Sequence, residues 1–112
     1  MATHEDAHLL VQLLRWATEM GIEDAYMEIF SEDFDPEKAS INTMAVGKIM
    51  TYGEAVGTFV KHGLLDADLV NDYWASRMVW DRVGQAAHRA REEFNSPRMY
   101  ENFEALVEGS TA

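Results

Sequence analysis

The sequence contains no cysteine, only two prolines and only nine basic residues among 112. Without cysteine, the chain cannot form disulfides, thiolate zinc sites or a cysteine nucleophile. No apolar run approaches the roughly 18 residues that a membrane-spanning helix needs, and the first residues lack the pattern of a signal peptide. We therefore expect a cytoplasmic protein that needs no cofactor and does not bind a membrane.

The shortage of basic residues leaves a formal net charge of −11, and most of it lies in the first third of the chain. Residues 1–37 carry ten acids against Arg15 alone, whereas the other 75 residues carry ten acids and eight bases. Nucleic acids and anionic membranes attract basic surfaces, so this charge argues against both as partners. An acidic surface of this kind either keeps the protein in solution or docks a basic protein.

The sequence does contain strong helical periodicity. An apolar fraction of 47% and twelve aromatic residues predict one folded domain over residues 1–112. The stretch 66–94 has no proline and one glycine. Its apolar residues recur at helical spacing at Leu69, Tyr73, Trp80, Val83 and Ala87. We therefore predict a single long helix at about 66–94, roughly 42 Å in length, along which the rest of the chain packs.

Four further helices are predicted from their capping signals. Thr3 and Asp6 have the spacing of a capping box, and Gly21 and Gly63 are typical of helix ends. Ser96-Pro97 is typical of a helix start. The four helices cover about 4–20, 22–32, 36–62 (regular only past Met44) and 97–109. The predicted fold is all-α, a five-helix antiparallel bundle built around the long helix.

Two local patterns predict how these helices meet. In the turn Gly63–Asp66, the glycine stops one helix and the aspartate caps the next, so the two flanking helices should be antiparallel neighbours. Gly53 and Gly57 lie one turn apart and predict a close helix contact. We expect both glycines to face the long helix.

Three segments resemble a known family. They are HLLVQLLRWATEMGIEDAYMEIFSEDFD, GTFVKHGLLDADLVNDYWASRMVWDRV and NSPRMYENFEALVEG, and together they extend over roughly residues 8–108. The resemblance is to small bacterial all-helical domains of unknown function, some of which follow a membrane anchor; this copy is expected to be soluble. The resemblance implies no activity and no functional residues.

His4, Glu5 and His8 satisfy the H-E-x-x-H pattern of zinc proteases, in which two histidines bind the metal and the glutamate acts as general base. The motif lies at a helix end that is expected to fray, and the chain offers no third ligand at a characteristic spacing. Glu5-x-x-His8 also has the spacing of a di-iron bundle site, but no second copy occurs. We therefore predict no enzyme and retain these three residues as weak metal-ligand candidates.

Arg82, Arg89 and Arg91 lie in the second half of the predicted long helix. We expect them to pair with the acidic first third of this chain or of a second copy, which favours a homodimer; a basic protein is the alternative partner. The sequence thus favours a non-catalytic domain that binds other proteins or itself. The alternative is a metal- or small-molecule-binding protein that uses His4, Glu5 and His8.

Overall fold

The computed structural model describes residues 1–109, and these residues form six α-helices and no strand. The helices are α1 His4–Met20, α2 Ile22–Ile29, α3 Met44–Lys61, α4 Ala67–Tyr73, α5 Ser76–Glu93 and α6 Glu101–Glu108. The all-α prediction is confirmed, but the number of helices is six rather than five. No helix in the described range is both long and apolar enough to cross a membrane.

The single helix predicted at 66–94 is wrong, because the chain leaves helical geometry at Trp74 and Ala75. Trp74 is extended, and Ala75 has the φ of −76° and ψ of 63° of an inverse γ-turn. The N–H of Ser76 closes this turn by donating to the Trp74 carbonyl at 2.7 Å. The break places the Trp74 ring between Tyr52 and Phe103, with centroids 5.4 and 5.5 Å away. Tertiary packing of one tryptophan thus overrides the helical propensity of the stretch.

The first helix begins and ends where the sequence predicts. The Thr3 hydroxyl accepts from the Asp6 N–H, and the Asp6 carboxylate accepts from the Thr3 N–H at 2.7 Å, which completes the capping box. Gly21 ends α1 in the left-handed conformation, with φ at 75°. The same glycine starts α2, so the two helices meet with no loop between them.

The turn at Gly63–Asp66 is also confirmed. Gly63 has φ at 72°, and the Leu64 N–H donates to the Phe59 carbonyl, as in a Schellman motif. The Asp66 side chain then caps α4 by accepting from the Leu69 N–H at 2.9 Å. Ala67 lines the same groove as the end of α3, and Trp74 packs on Tyr52 in the middle of α3. The chain after the turn therefore returns from the end of α3 to its middle.

Gly53 and Gly57 face α6 and not the helix that follows the turn, which corrects the sequence prediction. A Cβ atom on Gly53 would lie 2.4 Å from the Phe103 ring, and one on Gly57 would lie 2.2 Å from the Asn102 carbonyl oxygen. Real Cβ contacts are not that short, so both positions need glycine for the backbones to approach. The two glycines are the reason that α6 packs directly onto α3.

The region between α2 and α3 is not helical, although Pro36 predicts a helix start. The Asp35 carboxylate accepts from the Glu37 N–H at 2.9 Å and the Lys38 N–H donates to the Asp35 carbonyl, which makes a single turn. Regular helix begins only at Met44. The segment 30–43 is therefore a loop that other side chains must hold in place.

Candidate functional site

The N-terminal motif lies on the surface of the first turns of α1. His4, Glu5 and His8 are all exposed. Within residues 1–109, no three His, Asp or Glu side chains come together in a way that could hold a metal ion. The structure thus brings no third ligand to His4 and His8, and it offers no observation that favours a metal at this motif.

Asp6, one residue after the motif's glutamate, fixes the start of α1. Its carboxylate accepts from Thr3 and also from the Asp66 N–H at 3.0 Å, which joins α1 to the start of α4. The hydrogen bonds from the Thr3 N–H and hydroxyl hold the pKa of Asp6 below its usual value. The end that was expected to fray is therefore anchored by a buried carboxylate.

Two of the three arginines predicted to make interactions hold the loop 30–43 through backbone carbonyls. Arg82 donates to the carbonyls of Ile29 at 2.6 Å and Phe34 at 3.3 Å, and its guanidinium lies 5.2 Å from the centre of the Phe34 ring. Arg89 donates to the Ala39 carbonyl. Arg82 thus contacts the acidic first third of the same chain, and Arg89 contacts the residues just after it. Both arginines donate to backbone carbonyls, and neither forms an ion pair with a carboxylate of the loop.

Arg91 connects α5 to the other side of the molecule. Its Nε donates to the Met99 carbonyl at 2.7 Å, and its Nη1 lies 2.8 Å from the Glu104 carboxylate on α6. All three predicted residues are thus engaged inside their own chain. Their guanidinium groups hold loops and helices together, although Arg89 is also exposed to solvent.

A cleft with polar side chains in its wall lies between α1, α2, α3 and the end of α4. It measures about 360 Å³. Its wall is formed by Leu14, Ala17, Thr18, Ile22, Glu23, Tyr26, Tyr52, Tyr73 and Trp74. Three of the four tyrosines in the chain therefore meet at one place, each contributed by a different helix. We refer to this feature as the tyrosine cleft.

The tyrosine cleft contains one buried polar atom that lacks a hydrogen bond within residues 1–109. This atom is the indole Nε1 of Trp74, which lies beside the Tyr26 hydroxyl without reaching hydrogen-bond geometry. Tyr52 is only 5% exposed, but its hydroxyl is not among the buried atoms without a partner. Native proteins pair nearly all buried polar groups, so the Trp74 N–H is an unusual feature of the cleft.

Burial also determines the charge state of the cleft. It raises the pKa of Tyr26 to about 12, and the nearby indole of Trp74 opposes that shift only in part. Burial raises the pKa of Tyr52 to about 12 as well, with a smaller contribution from Tyr73. These phenols are therefore uncharged at neutral pH, and the charged side chain in the wall is the carboxylate of Glu23.

Sequence reasoning missed this cleft because helical spacing treats tyrosines as apolar residues, as it does Tyr73. The rings of Tyr26 and Tyr52 do pack in the core, whereas Tyr73 is 63% exposed. Helical spacing says nothing about the hydroxyls, whose partners depend on how four helices meet. A usable signal is that each of these tyrosines sits at the polar edge of an apolar stripe, where a hydroxyl can reach a shared space.

Two other clefts lie elsewhere on the surface. A mostly apolar groove of about 520 Å³ lies between α3 and α6, beside Gly57 and Leu106. A second cleft of about 380 Å³ lies at the loop 30–43, where Glu28, Asp33 and Asp35 contribute to its wall.

Comparison with known proteins identifies a family for this chain but indicates no activity. A family model described as a domain of unknown function, DUF4760, matches residues 12–110. No curated protein and no solved structure matches the chain.

Proposed function

The chain belongs to the DUF4760 family, whose function is unknown, and we propose that it is a non-catalytic domain that binds a basic protein partner. The proposed docking surface is the acidic end of the bundle, which we define as residues 27–44. It comprises the last residues of α2, the following loop and the first residue of α3. The observation that carries the proposal is a set of exposed apolar side chains surrounded by unpaired acids.

The apolar part of the acidic end consists of Met27, Phe30 and Met44. Both methionines are 74% exposed and Phe30 is 45% exposed. Each lies next in sequence to a residue that lines the same cleft, namely Glu28, Ser31 and Thr43. Methionine is flexible and polarisable, which suits a surface that adapts to a partner.

The charged part consists of one exposed base, Lys38, and five exposed carboxylates: Glu28, Glu32, Asp33, Asp35 and Glu37. None of the ion pairs found within residues 1–109 involves any of them. Arg82 and Arg89 are close by but donate to carbonyls. Unpaired carboxylates around an apolar centre are complementary to a partner that presents apolar and basic side chains.

Site-specific photocrosslinking in the native cell tests this surface. A photoreactive amino acid at Met27 should capture a basic protein, whereas the same group at Met78, which is exposed on α5, should not. Changing both Met27 and Met44 to serine should abolish binding of the captured protein, and added salt should weaken it. Equal capture from both positions, or binding that salt does not weaken, would contradict the proposal.

As a second candidate function, we propose that the chain binds a second copy of itself and forms a homodimer. Arg82, Arg89 and Arg91, which the sequence assigned to a charge-paired homodimer, also make contacts inside their own chain. We base the proposed dimer instead on exposed apolar side chains outside the acidic end, among them Tyr73 and Met78. An apolar interface would make dimerisation insensitive to salt.

Sedimentation at micromolar concentration tests self-association. We expect a dimer mass that persists at high salt and falls to the monomer mass when Tyr73 and Met78 are both changed to serine. The matched control is the double change of Met27 and Met44 to serine, which should leave the dimer intact. A monomer mass for the unmodified chain at every concentration would exclude the homodimer.

A further inference from the structure

The tyrosine cleft holds a buried donor that meets no acceptor within residues 1–109, the indole N–H of Trp74. We propose that the cleft binds a small, neutral and mostly apolar molecule whose oxygen accepts a hydrogen bond from this N–H. The juxtaposition that carries the inference is the unpaired N–H beside the Tyr26 hydroxyl, in a wall that is otherwise largely aromatic and aliphatic. The inference goes beyond both proposed functions and rests on neither.

The Trp74 side chain is held in place, so its N–H cannot turn out to solvent. The residue is 9% exposed, and its ring packs against Tyr52 and Phe103 with centroids 5.4 and 5.5 Å away. An N–H that leaves water without finding an acceptor destabilises the folded chain. A molecule that brings an acceptor into the cleft removes this penalty, and its binding is favoured for that reason.

Tyr26 is the part of the wall that controls access to this N–H. Its side chain is half-buried on the short helix α2, and its hydroxyl lies beside the indole nitrogen without hydrogen-bond geometry. A ligand oxygen reaches the buried nitrogen when the Tyr26 side chain moves outward, and the phenol then becomes a second donor to the same oxygen. A carbonyl oxygen has two lone pairs and can accept from both groups.

Charge and donor chemistry select a neutral ligand. The wall contains the Glu23 carboxylate and no basic side chain, so it repels an anion. Burial raises the pKa of Tyr26 and of Tyr52 to about 12, so both phenols keep their protons at neutral pH and can donate. An ammonium group carries only donors and has nothing to offer the indole N–H. A neutral molecule with an oxygen acceptor is the class that satisfies all of these groups.

The size and lining of the cleft restrict the rest of the ligand. A volume of about 360 Å³ lies at the lower end of the range for small-molecule sites. Leu14 and Ile22 give the wall aliphatic surface, and the rings of Tyr52 and Trp74 give it aromatic surface. A single six-membered ring that carries one carbonyl group matches this combination of size and chemistry. Cyclohexanone is therefore the probe that we choose.

The indole proton of Trp74 reports the proposed hydrogen bond directly. A proton–nitrogen correlation spectrum resolves the indole groups of Trp16, Trp74 and Trp80, and the signal that disappears in Trp74→Phe identifies the relevant one. We expect cyclohexanone to move the Trp74 signal downfield in a saturable way. The Trp80 signal should stay in place, because that ring packs on Phe103 and is not part of the cleft wall. An unmoved Trp74 signal, or equal movement of the Trp74 and Trp80 signals, would overturn the proposal.

Three further probes with the same ring separate the acceptor from apolar contact and from charge. Methylenecyclohexane has the shape of the ketone without its oxygen, so it should not move the Trp74 signal downfield even where it occupies the cleft. Cyclohexylammonium carries donors only and should not move that signal downfield either. Cyclohexanecarboxylate should bind about tenfold more weakly than the ketone, because it meets the Glu23 carboxylate. A downfield shift with either of the first two probes, or a carboxylate that binds as tightly as the ketone, would contradict the assigned ligand class.

Removal of the Tyr26 hydroxyl tests the second donor. Tyr26→Phe keeps the ring and should weaken cyclohexanone about fivefold, the effect of one neutral hydrogen bond. Tyr100→Phe is the matched control, since Tyr100 lies outside the cleft wall, and it should leave affinity unchanged. Without ligand, Tyr26→Phe should leave the Trp74 indole signal close to its original position. An upfield shift there would show that the Tyr26 hydroxyl already accepts from the indole N–H, and that result, like unchanged affinity for the ketone, would overturn the proposal.

Discussion

The two sides of α3 differ in how completely their polar groups are matched. On one side, α6 packs against Gly53 and Gly57, and the N–H groups of its first turn donate to the Glu54 carboxylate. On the other side, Tyr52 faces the tyrosine cleft, in which the buried indole N–H of Trp74 has no acceptor in the described range. The same helix therefore has one closed side and one that is open to an additional group.

The closed side shows how a helix without its own cap is held. The residue before α6 is Tyr100, which is in the left-handed conformation and offers no side-chain cap. Glu54 replaces that cap from the neighbouring helix, accepting from the Asn102 and Phe103 N–H groups at 3.0 Å each. A carboxylate at a helix N-terminus is favourable in both charge and hydrogen bonding. These matched contacts fix the position of α6 on α3.

The largest expected effect is at Gly57. Gly57→Leu forces a side chain into the space that the Asn102 backbone occupies, and we expect a loss of about 3 kcal/mol or more in the free energy of unfolding. Urea denaturation measures it. Thr51→Leu adds the same side chain at an exposed position of α3 and should change stability by less than about 0.5 kcal/mol. Similar stabilities for the two variants would show that α6 is not tightly packed on α3.

The next effect is at Glu54. Glu54→Ala leaves two N–H groups of α6 without their acceptor, and we expect a loss of about 2 kcal/mol. Glu54→Gln keeps an oxygen acceptor and should lose about half as much. Thermal or urea unfolding measures both. A Glu54→Ala protein as stable as the parent would mean that packing alone docks α6, and the two sides of α3 would then differ less than the structure indicates.

The parts of the fold that the sequence predicted are those fixed by neighbouring residues. Thr3 with Asp6, the stop at Gly21 and the turn Gly63–Asp66 each need only a few consecutive residues, and the structure has all three. Their capping bonds form within one helical turn. Such signals can be read from a single sequence because the physical interaction is local.

The parts that the sequence did not predict depend on distant residues. The break at Trp74 arises from rings on α3 and α6, so nothing within 66–94 indicates it. Gly53 and Gly57 indicated close packing, but the identity of the neighbour followed from the tertiary fold. Arg82 was expected to pair with acids of the first third of the chain, and it reaches that segment through backbone carbonyls that no local pattern identifies. The tyrosine cleft was missed for the same reason.

High pH should affect the open side of α3 more than the closed side. Tyr26 and Tyr52 have pKa values of about 12 in the folded chain and 10.0 as free groups. The folded state therefore holds these protons more tightly, so its advantage is full below about pH 10 and is lost as the pH rises through about 12. We expect the Tm to fall over that interval. Phenylalanine at both positions should reduce the fall, and an identical fall in that variant would assign it to other groups.

The smallest expected effect on stability is the most informative about the open side. Tyr52→Phe removes only a hydroxyl in the wall of the tyrosine cleft and keeps the ring, so we expect a change within about 0.5 kcal/mol of the parent. Tyr52→Ala also removes the ring that packs against Trp16 and Trp74, and it should cost about 3 to 4 kcal/mol. Urea denaturation of the two variants separates the ring, which supports the fold, from the hydroxyl, which does not. If Tyr52→Phe lost more than about 1.5 kcal/mol, the hydroxyl would be making a structural contact, and both sides of α3 would be closed.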